Sequence, residues 1–428
     1  MEKKLIILYN IFERYANEIL RVYSFEYNLV INELYTDFTN IKDLLRSIYV
    51  TKTSLQFTNI VLSYCDKWSA RIFMYSCIQK LDNHTAINIK YMDTCDIIIL
   101  LDSVTNKNIV MYEYSKHNLN EYLKLQNIII SDTSSNTTSK TACDTEYESS
   151  KIIIVPGKVC KTQYGHIGRL YTNNGDSSVN TYPWDSTAVL LGNLIDAKNI
   201  TIWTHINGIY IANLSILPNA KQITELTYAE AHAIVSLSDT NKVNIFKMYN
   251  INNIPISIQN FNNKKTTGTL ISNSNKAQNK CITTMNNISI INIYNNGINN
   301  NINETLLSTV TNTLNAHKIN IVMVCNAFSD ISICIAVMTT DIDKVQKILN
   351  TIIQYPNNDI QIMLEDSCSI VSIIGSIEYI DILKLNICKN NKIINIFKGN
   401  MKSINYVSMV IKTAYVNDCV NDLYKLCN

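Results

Sequence analysis

The first 80 residues carry apolar side chains at a spacing close to the 3.6-residue period of an α-helix. One stripe runs from Leu5 to Leu20, and another runs through Phe57–Gln79, which includes Trp68. Because this spacing places the apolar side chains on one face of a helix, the pattern predicts a helical N-terminal region.

Between residues 96 and 259, short apolar runs alternate with segments of helical pattern. Strands are predicted at 96–102, 152–155, 200–203 and 254–259, and helices at 186–196 and 225–235. The segment 131–150 is rich in Ser, Thr and Asn, which is typical of a surface loop. Strands that alternate with helices predict an α/β domain with a mainly parallel sheet flanked by helices.

The polar segment 260–280 is interpreted as a linker, and the pattern beyond it repeats. Each repeat has the order strand, helix, strand, strand, helix, as in the ferredoxin-like βαββαβ fold. The first repeat has predicted strands at 288–294, 320–325 and 331–338 and helices at 304–317 and 341–353. The second has strands at 369–375, 392–397 and 406–411 and helices at 379–390 and 416–426. Such a tandem behind a catalytic domain is a common arrangement for binding a small effector.

Charge and hydropathy exclude several classes of function. The 428 residues include 37 Lys and Arg and 35 Asp and Glu, so the formal net charge is +2. This balance provides no field that would attract nucleic acid or an acidic membrane surface. No apolar run approaches the roughly 18 residues of a membrane span, and charged residues interrupt the first apolar stretch too early for a signal peptide. A cytoplasmic protein is expected.

Glycine locates the segment that would hold a nucleotide. Only ten of the 428 residues are glycine; none precedes Gly157, and seven lie between Gly157 and Gly268. Glycine allows the backbone to approach a phosphate closely and to adopt positive φ. A phosphate-binding loop is therefore expected between about residues 157 and 268.

The cysteines and histidines predict no metal site. Twelve cysteines occur without a CxxC pair, and the six histidines form no HExxH motif. The cysteines are interpreted as reduced, buried residues. Trp203, beside a predicted strand, is interpreted as a core aromatic.

Several short segments between residues 165 and 271 are distinctive. Residues 202–215 read IWTHINGIYIANLS and residues 217–231 read LPNAKQITELTYAEA, with IPI at 254–256, GTLI at 268–271 and GHIG at 165–168. In this order the segments resemble motifs of the aspartate kinase family, which has I-W-T-D-V-D-G-I/V-Y-T-x-D-P-R where residues 202–215 stand. The C-terminal repeats resemble the family's paired ACT domains, notably at 319–324 and 329–333.

The resemblance implies a fold and a domain organisation. It implies an α/β amino-acid-kinase domain at 1–272 that lacks its first βα unit. Two ferredoxin-like ACT modules are expected at 273–358 and 359–428.

The resemblance also implies a reaction and binding partners. The reaction is ATP-dependent phosphorylation of the L-aspartate side-chain carboxylate to 4-phospho-L-aspartate, which leads to lysine, threonine and methionine. Mg²⁺ accompanies ATP as cosubstrate, and lysine or threonine is the expected effector. A homodimer through the ACT modules is expected, with a separate homoserine dehydrogenase as a further partner.

The matching positions supply the candidate site residues. Asp66, in the S-Y-C-D segment that stands where the family has S-x-G-E, and Asp185 are the catalytic candidates. The nucleotide-binding candidates are Thr204, His205, Gly208, Tyr210 and Ser215. The effector-binding candidates are Asn320, Ile321 and Asn326. No metal ligand is assigned.

Departures from the family pattern predict weakened activity. The family's K-F-G-G-T-S segment has no counterpart, and G-R-G-G-S-D is replaced by residues 180–185, of which only Asp185 matches. D-P-R reads Asn213-Leu214-Ser215, and F-G-A-K falls near residues 237–240, where no lysine stands. Three hypotheses stay open: a weakened kinase, a catalytically inactive ACT-bearing protein that binds an effector or partner, and the product of a decaying gene.

Overall fold

The computed structural model describes most of the chain in two compact units. The described residues are 2–51, 55–81, 87–101, 109–126, 151–157, 159–169, 183–238, 253–263, 266–273, 280–295, 301–317, 319–327, 332–353, 360–375, 393–401 and 404–427. The first unit comprises the described residues up to Ala197, and the second comprises those from Lys198 onward.

The first unit combines helices with two small sheets. Its elements are α1 (Glu2–Ile19), α2 (Phe25–Thr51), α3 (Leu55–Leu81), β1 (Asn88–Tyr91), α4 (Thr94–Ile97), β2 (Ile99–Leu101), β3 (Ile109–Val110), α5 (Tyr112–Leu125), β4 (Lys151–Ile154), β5 (Val159–Thr162), β6 (Ile167–Arg169) and α6 (Pro183–Leu194). One sheet has the order β3-β2-β5-β6, and β1 pairs with β4. The pairs β1–β4 and β2–β5 are parallel, and the other two are antiparallel.

Trp68 is at the centre of the core shared by α1, α2 and α3. Its side chain is fully buried, and its ring centroid lies 5.2 Å from that of Phe12. The indole N–H donates to Asp37 Oδ2 at 3.0 Å, and Arg71 Nη1 donates to the same oxygen at 2.7 Å. The buried indole N–H thus has the hydrogen-bond acceptor that it needs. The helical pattern predicted for the first 80 residues is confirmed.

One predicted strand begins later than expected. Residues 94–97 form the short helix α4, and the strand starts only at Ile99. The cause is Asp93, whose carboxylate accepts a hydrogen bond from the Cys95 N–H and so begins a helical turn. The loop predicted at 131–150 lies outside the described residues.

The second unit begins with a small mixed sheet. Its first elements are β7 (Ile200–Thr204), β8 (Ile209–Tyr210), β9 (Gln222–Ile223), β10 (Glu225–Thr227), α7 (Tyr228–Ser236), β11 (Ile256–Asn260) and β12 (Thr269–Ser272). The sheet order is β10-β12-β11-β7, with parallel pairs at β7–β11 and β10–β12. The α/β class is confirmed.

Two boundaries in this part were predicted wrongly. The helix predicted at 225–235 starts at Tyr228, because Thr227 and Glu230 form a capping box and residues 225–227 pair with β12. The segment interpreted as a linker contains β12, whose Thr269 and Ile271 are buried in the sheet. Its polar composition concealed a four-residue strand.

The two C-terminal repeats form one six-stranded sheet. Their elements are β13 (Cys281–Asn295), α8 (Asn301–Ala316), β14 (Ile321–Ala327), β15 (Ser332–Met338), α9 (Ile342–Ile353), β16 (Ile360–Ile374), β17 (Ile393–Met401), β18 (Ile404–Lys412) and α10 (Val416–Cys427). The sheet order is β14-β15-β13-β16-β18-β17. The repeat pattern is confirmed, and the helix predicted at 379–390 lies outside the described residues.

The long central strands join the repeats. β13 and β16 have 15 residues each and pair antiparallel, with register irregularities between Met285 and Ile290. Each strand therefore serves both repeats. The sheet is also curved. Three strands separate β15 from β17 in the sheet order, yet Asn395 Nδ2 on β17 donates a hydrogen bond to Cys334 Sγ on β15 at 3.7 Å.

The described cysteines are thiols in apolar or half-buried positions. Cys95, Cys160, Cys281, Cys368 and Cys419 are buried. Burial raises the pKa of Cys281 to about 12, so this thiol stays protonated near neutral pH. The interpretation of these residues as reduced and buried fits these five positions.

Candidate functional site

In the first unit, Asp66 lies on α3 beside a partly buried ion pair. The Asp66 side chain is half-buried, and its Oδ2 atom is shielded from solvent. The next residue, Lys67, places Nζ 2.6 Å from Asp93 Oδ2. Because Asp93 also caps α4, the ion pair ties the helix that carries Asp66 to the turn before β2.

The environment of the pair keeps both groups charged. Burial raises the pKa of Asp93, but hydrogen bonds from Lys67 and from the Cys95 N–H outweigh it, so the net pKa lies below its usual value. Burial lowers the pKa of Lys67, yet the hydrogen bond to Asp93 makes the net pKa higher than usual. Burial, followed by the Asp93 charge, raises the pKa of Cys95 to about 12. Near neutral pH the cluster therefore contains one carboxylate, one ammonium and one thiol.

Replacing Asp93 by Ala is expected to lower the free energy of unfolding by about 2–4 kcal/mol, since it leaves Lys67 without its partner and removes the α4 cap. The lowered pKa of Asp93 stabilises the fold above pH about 4, and the raised pKa of Lys67 stabilises it below pH about 10. The difference in the free energy of unfolding between the wild-type protein and Asp93→Ala, measured with urea, should therefore be largest between pH about 4 and about 10. Glu121→Ala, which breaks an exposed pair with Lys124, is the control and should leave the free energy of unfolding nearly unchanged. Equal losses for the two variants would contradict the assignment.

Asp185, the other catalytic candidate, is the third residue of α6. Its side chain is not among the described ones. Its role as a catalytic residue stays a prediction.

In the second unit, the predicted nucleotide segment forms a tight loop between β7 and β8. Thr204 ends β7, residues 205–208 make the turn, and Gly208 is buried with φ +136°. A Cβ at Gly208 would lie 2.5 Å from Thr269 Oγ1 and 2.9 Å from Gln222 Nε2. Glycine is required here both by the φ angle and by the close approach.

Side chains from neighbouring strands hold this loop. Asn260 Nδ2 donates to the His205 carbonyl at 3.2 Å and to Asn207 Oδ1 at 2.7 Å. Gln222 Nε2 donates to the carbonyls of Asn207 at 2.8 Å and Gly268 at 2.7 Å. Hydrogen bonds between uncharged groups, donated by two side-chain amides, thus hold the turn.

The other nucleotide candidates differ in their surroundings. His205 is exposed at the start of the turn. The Tyr210 ring is half-buried and packs against the core of the second repeat. Ser215 is exposed, and both its N–H and its hydroxyl donate to Asn213 Oδ1, at 3.0 and 2.9 Å. The structure therefore groups Thr204, His205 and Gly208 in one loop, whereas the Tyr210 ring packs against a core and Ser215 lies in a separate turn.

Trp203 lies on the exposed face of β7. Its side chain is 53% exposed, because alternation along β7 turns Ile200 and Ile202 to the core and Thr201 and Trp203 to the other face. The interpretation of Trp203 as a core aromatic was wrong.

The effector candidates lie at or next to the edge strand β14. Asn320 precedes the strand and is exposed, Ile321 is its first residue, and Asn326 pairs with Ile333 on β15. The Asn326 side chain is not among the described ones. Effector binding stays a prediction.

The residues that shape the loop were missed by sequence reasoning. Gln222, Asn260 and Thr269 are uncharged, and two of them fall within the segment interpreted as a linker. The strand predicted at 254–259 and the family-like segments IPI and GTLI, the second of which contains Thr269, were the signals that strands continue there.

Neither a metal cluster nor a membrane span occurs in the part of the chain that the structure describes. No group of three or more His, Cys, Asp or Glu side chains could hold a metal ion there. No described helix is long and apolar enough to cross a membrane.

Comparison with known proteins gives consistent matches. The model of the amino acid kinase family matches residues 67–260. The chain is 25% identical over 362 residues to bifunctional aspartokinase/homoserine dehydrogenase 2, chloroplastic, of Arabidopsis thaliana, which covers 81% of this chain and 35% of that protein. The chain thus spans about a third of the length of this relative.

Solved structures agree with the sequence matches. E. coli aspartokinase III in complex with aspartate and ADP has a TM-score of 0.69 and 17% identity, covering 99% of this chain and 86% of that one. The same enzyme in complex with lysine and aspartate has the same score, identity and coverage. These likenesses establish the fold. Together with the amino acid kinase match and the curated relative, they support a chain that is similar to the aspartate kinases.

Proposed function

We propose that the chain phosphorylates the side-chain carboxylate of L-aspartate with ATP, at a rate below that of relatives that carry the family's cationic residues. The observation that carries the proposal is the Thr204–Tyr210 loop, whose buried Gly208 has φ +136° and stands where the family places its nucleotide segment. The E. coli structure contains aspartate and ADP, which supports the assignment of substrates.

The proposed reaction transfers the γ-phosphoryl group. An oxygen of the aspartate side chain attacks the γ-phosphorus, the bond to the β–γ bridging oxygen breaks, and ADP and 4-phospho-L-aspartate form. The residues of this chain would contribute mainly positioning: the 204–210 loop is proposed to bind the nucleotide, and the catalytic roles of Asp66 and Asp185 stay predictions. Mg²⁺ bound to ATP would neutralise charge on the phosphates.

Trapping with hydroxylamine tests the proposal. Aspartyl hydroxamate should accumulate only when both ATP and aspartate are present. Glutamate, which is one methylene longer, is the matched control substrate. Product formation that is independent of aspartate would contradict the assignment.

ATP and ADP are expected to bind with nearly equal affinity. The retained loop matches the adenosine side of the family's segment, whereas Ser215 stands where the family has an arginine near the phosphates. Titration calorimetry measures both affinities. A preference for ATP above about tenfold, roughly 1.4 kcal/mol, would show that the γ-phosphate is still recognised.

We propose a homodimer through the C-terminal sheet. β13 and β16 are paired on both sides within the chain, which leaves β14 and β17 as the edges among the described strands. Unpaired edges rich in Ile and Val favour association with a second copy. Light scattering at micromolar concentration should show a dimer, and a monomer would refute this.

Effector binding is expected to be weak. Asn326 is shorter than the glutamine of the family, and residues 299–303 replace its G-V-P-G helix start. Lysine is present in one E. coli structure, so lysine and threonine are the ligands to test. A thermal shift of several degrees at millimolar concentration of either would contradict weak binding. A cytoplasmic location and a separate homoserine dehydrogenase as partner remain predictions.

A further inference from the structure

Three uncharged side chains on three strands hold the 205–209 turn. Gln222 is on β9, Asn260 ends β11, and Thr269 begins β12. Asn260 and Thr269 are buried, with 8% and 1% of their surfaces exposed.

Thr269 fixes the end of the turn. Its Oγ1 accepts a hydrogen bond from the Ile209 N–H at 2.9 Å and donates to the Ile223 carbonyl at 2.6 Å. Both of these backbone groups are buried with the threonine. Loss of the hydroxyl would leave a buried donor and a buried acceptor without this partner.

Gln222 and Asn260 fix the direction of the carbonyls in the turn. The carbonyl oxygens of His205 and Asn207 point at amide hydrogens of Asn260 and Gln222, toward the neighbouring strands. Because both carbonyls are bound on the protein side, the turn keeps one backbone conformation in the absence of a ligand.

We infer that Gln222, Asn260 and Thr269 are positioning residues that set the 205–209 turn in its nucleotide-binding conformation before the nucleotide arrives. The inference rests on the proposed nucleotide binding at this loop. Because the turn is already ordered, nucleotide binding does not have to offset the loss of conformational entropy that ordering the turn would cost. None of the three side chains needs to touch the nucleotide.

Two substitutions at Thr269 form a matched pair. Thr269→Val keeps the shape and removes the hydroxyl, whereas Thr269→Ser keeps the hydroxyl and removes a methyl group. We expect Thr269→Val to weaken ADP binding about tenfold in calorimetry, and Thr269→Ser to weaken it less than about threefold. Hydrogen exchange without nucleotide should show faster exchange at residues 207–210 only in Thr269→Val.

Gln222→Glu provides an independent variant. The two acceptors of Gln222 Nε2 are main-chain carbonyls, which cannot rotate to become donors. A carboxylate there faces two carbonyl oxygens, so both faster exchange in the turn and about tenfold weaker ADP binding are expected. Gln346→Glu, on the exposed surface of α9, makes the same chemical change and should leave both measurements unaltered.

The outcomes separate the inference from the proposed function. If the wild-type chain binds ADP and the Thr269→Val and Gln222→Glu variants bind it equally well, the positioning role is wrong. If the wild-type chain does not bind ADP, the proposed function is wrong at this loop. Hydrogen exchange then decides the positioning role alone, and unchanged exchange in both variants would overturn it.

Discussion

Replacing Gly208 by Ala is expected to abolish nucleotide binding and to lower the free energy of unfolding by about 3 kcal/mol. The residue has φ +136°, which L-residues with a side chain rarely adopt. Its Cβ would also lie 2.5 Å from Thr269 Oγ1 and 3.2 Å from the Thr269 backbone nitrogen. Rotation of the Thr269 side chain would relieve the shorter contact, but it would break the buried hydrogen bonds of Thr269 Oγ1 with the Ile209 N–H and the Ile223 carbonyl.

Gly165 offers the matched control for this substitution. It has φ +80°, but an added Cβ would meet no atom within 4 Å. Gly165→Ala should therefore cost only the backbone term, about 1–2 kcal/mol. Urea unfolding of both variants, with calorimetry of ADP, separates strain from clash. Equal losses of stability, or unchanged ADP affinity in Gly208→Ala, would contradict the role of the close approach.

Turnover of aspartate is expected to be at least about 10²-fold below the range of roughly 1–100 s⁻¹ that is ordinary for kinases. Two cations of the family pattern are absent: Ser215 stands in place of an arginine, and residues 237–240 contain no lysine. Removal of one electrostatic element of this kind typically costs about 10²–10³ in rate. Ser215 is uncharged, and its N–H and hydroxyl both donate to Asn213 Oδ1 in an exposed Asx turn.

Ser215→Arg tests the cause of the slow rate. A cation at this exposed turn is expected to raise the rate of hydroxamate formation about tenfold, whereas Ser215→Gln, which is long and uncharged, should not. Wild-type turnover within the ordinary range would contradict the prediction of weakened activity.

The hydrophobic pattern predicted the helices and repeats because these elements bury wide apolar faces. The stripes of α1 and α3 meet around Trp68, β15 carries an uninterrupted apolar run at 333–338, and β13 and β18 bury apolar runs that polar residues interrupt. Element ends were less predictable, because single polar groups set them. Asp93 starts a helical turn where a strand was expected, and Thr227 delays the start of α7.

The sequence predicted where along the chain the candidate site lies, but it did not predict the contacts that hold the site together. Gly208 and Thr204 could be found because they stand in a recognisable segment. The contacts of Gln222, Asn260 and Thr269 could not be found, although Gln222 and Thr269 also stand in family-like segments, since an amide or hydroxyl that binds the main chain of another strand leaves no periodic or charged signal. The pairing of β13 with β16 was also missed, because local pattern does not encode which distant strands pair.

Hydroxamate trapping with the wild-type and Gly208→Ala proteins measures aspartate phosphorylation and its dependence on the 204–210 loop. We expect slow formation of aspartyl hydroxamate by the wild-type chain that requires both ATP and aspartate, and we expect this product to be lost in Gly208→Ala under conditions where that variant remains folded. Wild-type product no higher than in the blank without aspartate, or equal product from the two proteins, would contradict the assignment of aspartate phosphorylation to this loop.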